Sequence, residues 1–227
     1  MGRPKKNETP ATEPSKKAGK AKKEEAAQEK VIKVAPIEFG YVKVTLVGET
    51  PLLVKKWSEK AAREMADKQE GKAVPKKAQR DPQKEYRDSM YIVPGTEKKP
   101  VYAVHAGGIK KCLVSATRFV ENLAKTDVRG AFHVVNAAEG NLIPIKTKGP
   151  NFDDQIGRIG GIQKTANHIY RARFDDWECT VEIKYMKNAI TVEQILMLFE
   201  IGGFSVGLHE FRPERDGTYG MFKVKRA

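Results

Sequence analysis

Apolar and polar side chains alternate through residues 37–47, placing Val42, Val44 and Leu46 on one face and Tyr41, Lys43 and Thr45 on the other. Period two predicts a strand, ended by Gly48-Glu49-Thr50-Pro51. Ser58 then stands as an N-cap before a charged helix over 59–70 that Gly71 closes, with Trp57 as a hydrophobic anchor ahead of the cap. A short strand over 101–104 leads through His105-Ala106-Gly107-Gly108 into a helix over 109–124, in which Ile109, Leu113, Ala116, Val120 and Leu123 recur near helical spacing. Strands follow over 132–135, 141–146 and 167–174. The cleanest alternation lies at 178–185, where Cys179, Val181, Ile183 and Tyr185 share a face. Thr191 and Gln194 stand in capping-box register for a helix over 192–201 that turns Ile195, Leu198 and Phe199 inward and stops at Gly202-Gly203. A last strand over 219–225 closes the domain.

No regular repeat of strand and long helix is present, which argues for an α+β fold with a mostly antiparallel sheet and packed helices rather than a doubly wound parallel one. Helix, glycine loop and returning strand at the C-terminal end suggest the second half of a ferredoxin-like or RRM-like core. Residues 1–35 hold almost no large apolar side chain before Val31 and are expected to form a disordered basic arm. Residues 36–227 then make one α+β domain, with a mobile basic loop at about 72–85 punctuated by Pro75 and Pro82.

Charge narrows the partner. The 227 residues carry a formal net charge of +13 and a pI of 9.6. Through Lys33 ten basic residues face five glutamates, so about +5 belongs to the arm and about +8 to the domain. Clustered cations favour nucleic acid, because they release counterions condensed on phosphates. Cys112 and Cys179 stand far apart and make no disulfide framework, which suits a reducing cytoplasm. No apolar run reaches the roughly 20 residues that span a bilayer, so no membrane partner is expected.

Two segments carry candidate chemistry. In the first, residues 202–222, Gly207, Gly217 and Gly220 allow close backbone approach while Arg212, Arg215 and Tyr219 supply charge and a ring. In the second, His168-Ile169-Tyr170-Arg171-Ala172-Arg173-Phe174, alternation puts Arg171 and Arg173 on one sheet face and Tyr170 and Phe174 on the other. Phe174 is read as core, and Tyr170 stays open between core and a base-stacking ring and is kept as a candidate for binding. Lys110, Lys111 and Arg118 lie around the helix over 109–124, the last two at a two-turn spacing that presents both to one side. The glycine-basic stretch 157–164 fails the dinucleotide fingerprint in spacing and context. Gly2-Arg3-Pro4-Lys5-Lys6 looks like the core of an AT-hook.

Catalytic signals are thin. The four histidines are scattered, without a His-Glu-x-x-His pair, and Asp153-Asp154 and Asp175-Asp176 read as solvated turn residues rather than a Mg²⁺ site. No phosphate-binding GxxxxGK[ST] loop or GxSxG elbow occurs. No cofactor, metal or catalytic residue is expected.

Gly207-Leu208-His209-Glu210-Phe211-Arg212-Pro213 followed by Gly217-Thr218-Tyr219-Gly220-Met221-Phe222 resembles a Gly-x-Gly-x-x-Arg-Pro, Gly-x-Phe/Tyr-Gly-x-Phe pattern of uncharacterised bacteriophage and prophage proteins, with Leu208-His209 in place of the second glycine. Over about a fifth of the chain the helix, glycine loop and last strand also resemble RAMP proteins, the RRM-like RNA binders of CRISPR effector backbones. The resemblance implies a binder of single-stranded DNA or RNA in a bacterial host, working in replication, recombination or defence interference and able to assemble with copies of itself. Two alternatives stand beside it: a RAMP-like or metal-dependent endonuclease, and a virion assembly protein.

Overall fold

In the computed structural model, which describes residues 36–57, 59–72, 80–159 and 165–225, the chain runs β1 (Phe39–Gly48), β2 (Leu52–Val54), α1 (Glu59–Gln69), α2 (Pro82–Asp88), β3 (Ala103–His105), α3 (Ala106–Ala116), α4 (Lys125–Ala131), β4 (Phe132–Val134) and β5 (Leu142–Thr147). It continues through β6 (Asn151–Ile159), β7 (Thr165–Phe174), β8 (Trp177–Met186), α5 (Val192–Ser205) and β9 (Phe222–Val224), with 3-10 turns at Thr117–Phe119 and Pro213–Arg215. The chain divides into Met1–Pro36 and Ile37–Ala227, and the architecture below is that of the second unit.

β1 and β8 form the centre. They pair antiparallel from Phe39 opposite Met186 to Val47 opposite Glu178. Val44 and Leu46 thereby share a buried face with Val181 and Cys179, and a slip of one residue would turn that whole set into water, so the hydrophobic pattern fixes the register. The main sheet has the order β3-β5-β8-β1-β9. β4 and β5 pair with successive stretches of β8, at Ile183 to Tyr185 and Trp177 to Cys179. Every pairing is antiparallel.

Taken as β1, α3, β5, β8, α5, β9, the path is two split β-α-β units: β8 lies between β1 and β5, and β1 lies between β8 and β9. This is the ferredoxin-like arrangement, and the fold is α+β with a mostly antiparallel sheet. Between β5 and β8 the chain inserts the β6–β7 hairpin, to which β2 adds as the third strand of a smaller sheet.

The core joins Ile109, Leu113 and Ala116 of α3 and Ile195, Leu198 and Phe199 of α5 to the inner face of the main sheet. Each of the larger side chains contributes roughly 1.5–3 kcal/mol on burial. α5 starts on the capping box that its sequence announces but does not stop at Gly202-Gly203. It runs on to Ser205. A Cβ on Gly203 would lie 1.9 Å from the Phe222 carbonyl oxygen, so this glycine lets α5 approach β9 instead of ending the helix.

Other expectations change as well. Gly107 and Gly108 lie inside α3, which begins at Ala106 with the His105 side chain accepting from the Gly107 amide. α3 ends at Ala116, so Arg118 sits in the following 3-10 turn and does not share a helical face with Lys111. The end of the loop expected at about 72–85 is helical: residues 82–88 form α2, because Asp81 caps it by accepting from the amides of Gln83 and Lys84 and Pro82 occupies the first turn. Asp153 and Asp154 are not turn residues but lie in β6. Trp57 is 67% exposed, so the hydrophobic anchor expected ahead of α1 is not buried. The arm 1–35 with its Arg-Pro segment, the cap Ser58, and the loop residues 73–79 and 160–164 lie outside the described residues.

Candidate nucleic-acid interface

The loop from α5 to β9 is folded back on itself. The Leu208 amide donates to the Gly220 carbonyl at 2.9 Å, Tyr219 to Phe211 at 3.0 Å and Gly217 to Arg212 at 3.1 Å. The amides of Gly220 and Glu210 tie the loop to Pro51 and Leu53. Gly207 and Gly220 both take a φ of 69°, a region that costs a residue with a Cβ. His209 and Phe211 also adopt left-handed φ values, 60° and 50°, held there by the surrounding bonds.

The loop's arginines differ in availability. Arg212 donates through Nη1 to the His209 carbonyl at 2.9 Å and through Nη2 to Glu214 at 2.8 Å. Arg118 reaches the same Glu214 from the end of α3, so both are already paired. Arg215 is exposed and makes no side-chain ion pair among the described residues. Tyr219 is half-buried.

Arg171 departs furthest from expectation. Alternation does put it on one face of β7 with Arg173, but that face packs against the glycine loop, and Arg171 is 0% exposed. Its guanidinium donates to Asp153 at 2.7 Å, Gln155 at 2.7 Å and Glu210 at 2.9 Å, and lies 4.5 Å from the centre of the Phe211 ring. Arg171 therefore clamps the β6–β7 hairpin to the loop and is withdrawn from any phosphate. Arg173 is half-exposed and faces Asp175 at 2.8 Å. Lys110 is half-buried beside His133, and Lys111 is exposed.

The opposite face of the hairpin carries a row of rings. His168 and Tyr170 stack at 5.9 Å and 15°, Tyr170 and Phe152 at 5.8 Å and 30°, and Tyr86 of α2 meets Phe152 at 5.3 Å. Arg80 lies 5.2 Å over the Tyr170 ring, held there by Glu85 through two bonds of 2.6 and 2.7 Å, by the His168 carbonyl at 2.9 Å and by Asn167. His168 is fixed by Asp154 at 2.9 Å. Phe152 is 41% and Ile156 70% exposed. Tyr170 is the candidate of this row that the sequence names. Phe152 joins it through the hairpin register, which sets Asp154 opposite Tyr170 and Ile156 opposite His168, His168 shares its face by period two in β7, and Arg80 arrives from ahead of α2 through its bonds to His168 and Asn167. The signal available was the alternation of Phe152, Asp154 and Ile156.

Charge at the base of this region is unusual. Lys55 is half-buried, and burial lowers its pKa while Glu210 and Glu85 oppose that shift. Burial pushes the thiols of Cys112 and Cys179 up to about 12, which makes both inert as nucleophiles at neutral pH. His209 is lowered to about 4, by burial first and then by Arg212 and His105. Its folded pKa lies below the unfolded value near 6.5, so the unfolded chain binds the extra proton. Stability is then full above about pH 6.5 and falls toward pH 4, with a slope of at most about 1.4 kcal/mol per pH unit from this group. His209→Asn, which tolerates the left-handed φ, is expected to flatten that part of the curve when urea midpoints are measured between neutral pH and pH 4.

No group of three or more His, Cys, Asp or Glu side chains that could hold a metal ion occurs among the described residues, and no helix there is long and apolar enough to cross a membrane. No family model and no curated protein matches the chain. Among solved structures, it is similar to a chain from the cryo-EM structure of the type III-B Cmr-beta bound to cognate target RNA, with a TM-score of 0.53 and 11% identity over 83% of this chain and 60% of that one. It also matches Cmr6 from Pyrococcus furiosus, with a TM-score of 0.41 and 8% identity over 84% of this chain and all of that one. The protein spans only 60% of the length of the first of these.

Proposed function

We propose that the protein binds single-stranded nucleic acid, largely without regard to sequence, as a RAMP-like module of a phage or mobile element acting in replication, recombination or defence. The observation that carries this reading is the row His168, Tyr170 and Phe152, with Arg80 over Tyr170. Rings with a guanidinium beside them accept bases of any identity, because every base has a π face. The likeness of fold to a chain of a target-RNA-bound Cmr assembly supports the same class of partner. Arg215, exposed on the glycine loop, supplies a separate phosphate contact, and the basic arm adds electrostatic capture.

Titration of the purified protein against single-stranded DNA, single-stranded RNA and duplex DNA at two salt concentrations tests the reading. Tyr170→Ala is expected to weaken single-strand binding about tenfold, since stacking is worth about 1–3 kcal/mol per base. Arg215→Ala should lower the salt slope by about 0.7–0.9 while leaving the stacking term in place. Equal binding by the Tyr170 variant, or a preference for duplex, would remove the hairpin from the interface. Cleavage of either strand in the same tubes, with or without Mg²⁺, would move the protein to the endonuclease class.

A further inference from the structure

On the outer face of the main sheet, three strands bring together side chains that no part of the strand-binding reading uses. His133 of β4 stands opposite Lys184 of β8, and Lys184 stands opposite Tyr41 of β1. Directly opposed residues on one sheet face are neighbours, about 4.5–5.5 Å apart at Cβ. Lys110 reaches the same point from α3, with Nζ 3.1 Å from His133 Nδ1. The Lys184 ammonium lies 4.3 Å over the Phe39 ring and 5.9 Å over that of Tyr41. Phe39, His133 and Lys184, with Gly130 and Ala131, line a cleft of about 350 Å³.

The charge here is unbalanced. Neither Lys110 nor Lys184 has a carboxylate partner among the described residues, whereas Glu182 of β8 and Glu38 beside β1 are paired with Lys43 at 4.0 Å and Lys187 at 3.5 Å. Burial lowers His133, and Lys110 and Lys184 lower it further, as a cluster of cationic groups without an anion requires. Two ammonium groups flank one imidazole here, Lys110 at hydrogen-bond distance and Lys184 as its cross-strand neighbour, and such a set matches a dianion better than the single charge of a backbone phosphodiester. The cleft is at the small end of ligand-site volumes, the size of one nucleotide.

We propose that this cleft, together with the Lys110 ammonium bonded to His133 on its wall, forms a phosphomonoester site, which takes the terminal phosphate of a nucleotide beside Lys110, His133 and Lys184 while the exposed Tyr41 ring next to Lys184 offers a surface to the base. The phosphate comes either from a free mononucleotide or from the end of a strand. The site does not depend on the hairpin.

The full chain is titrated with adenosine 5′-monophosphate and adenosine, and in parallel with short oligothymidylates bearing a 5′-phosphate or a 5′-hydroxyl. The phosphorylated member of at least one pair is expected to bind about tenfold or more tightly, the scale of added charge-assisted hydrogen bonds. That ratio should fall to about one in Lys110→Ala/Lys184→Ala, fall partly in His133→Asn, and stay unchanged in Tyr170→Ala. Both lysines lie outside the buried core, so the double variant keeps the fold. Discrimination by the mononucleotide pair alone assigns a free nucleotide, and by the strand pair alone a strand end. No discrimination in either pair, or discrimination that survives the double variant, overturns the site. The mononucleotide pair needs no strand binding, so it reads this site even where the hairpin proposal fails.

Discussion

Replacing Arg171 by alanine is expected to destabilise the protein by about 3–5 kcal/mol, because it strands a buried carboxylate without its counter-charge. Asp153 is 6% exposed, and its Oδ2 accepts from Arg171 Nε at 2.7 Å. Glu210 keeps a side-chain exposure of 39%, so water takes up part of its loss and Asp153 dominates the cost. Arg171→Lys should not restore stability, since Asp153, Gln155 and Glu210 are arranged around a planar fork of donors that a single ammonium does not reproduce. Arg171→Met combined with Asp153→Leu should recover much of the loss, as apolar replacements of whole buried ion pairs do. Urea unfolding of the four proteins measures this, and a cost under about 1 kcal/mol for Arg171→Ala would mean that the guanidinium meets solvent. Hydrogen exchange in the same variants should quicken in β6, β7 and the glycine loop ahead of β1 and β8, because the bonds of Arg171 join members of the first set.

The parts of the fold visible in the sequence are those whose local pattern and tertiary role agree. β8 alternates strictly because one face meets α3 and α5 and the other meets water, and α5 opens on a capping box that works as its residues suggest. β6 stayed hidden because its buried position is Asp153, a residue that signals a turn in isolation and becomes a strand residue only when Arg171 stands opposite it. Gly202-Gly203 misled for a related reason. Glycine serves equally as a helix terminator and as a point of close approach, and only the position of Phe222 decides between them. Of the interface, period two in β7 separated Tyr170 from Arg171 correctly, but which face would meet the glycine loop is set by contacts 39 residues away in sequence, at Glu210. Arg80 lies 87 residues from Asn167, which is why its place over Tyr170 left no local trace.

The second large effect is expected at the glycines that close the loop. Gly203→Ala should cost about 3 kcal/mol or more, the upper end of overpacking, because the obstructing atom is the Phe222 carbonyl oxygen, 1.9 Å from the new Cβ and fixed within β9. Gly220→Ala should cost a similar amount from two sources. Its φ of 69° is unfavourable to alanine by roughly 1–2 kcal/mol, and its Cβ would lie 2.1 Å from the Leu208 carbonyl oxygen. The two should nevertheless differ in kind. Gly203 holds α5 against the sheet, so its replacement lowers the midpoint of global unfolding, whereas Gly220 only seats the loop and its replacement should loosen residues 207–220 while α3, α5, β1 and β8 stay packed. Gly108→Ala is the control: it lies inside α3 with nothing within 4 Å of the new methyl group, and should stabilise by about 0.5–1 kcal/mol through helix propensity alone. Tm values rank the three, and hydrogen exchange separates Gly203 from Gly220. A Gly203→Ala protein as stable as the parent would place α5 and β9 farther apart than they stand here. Faster exchange spread evenly over the whole domain in Gly220→Ala would mean that the loop, which sends Leu208 into the core, opens only when the whole domain does.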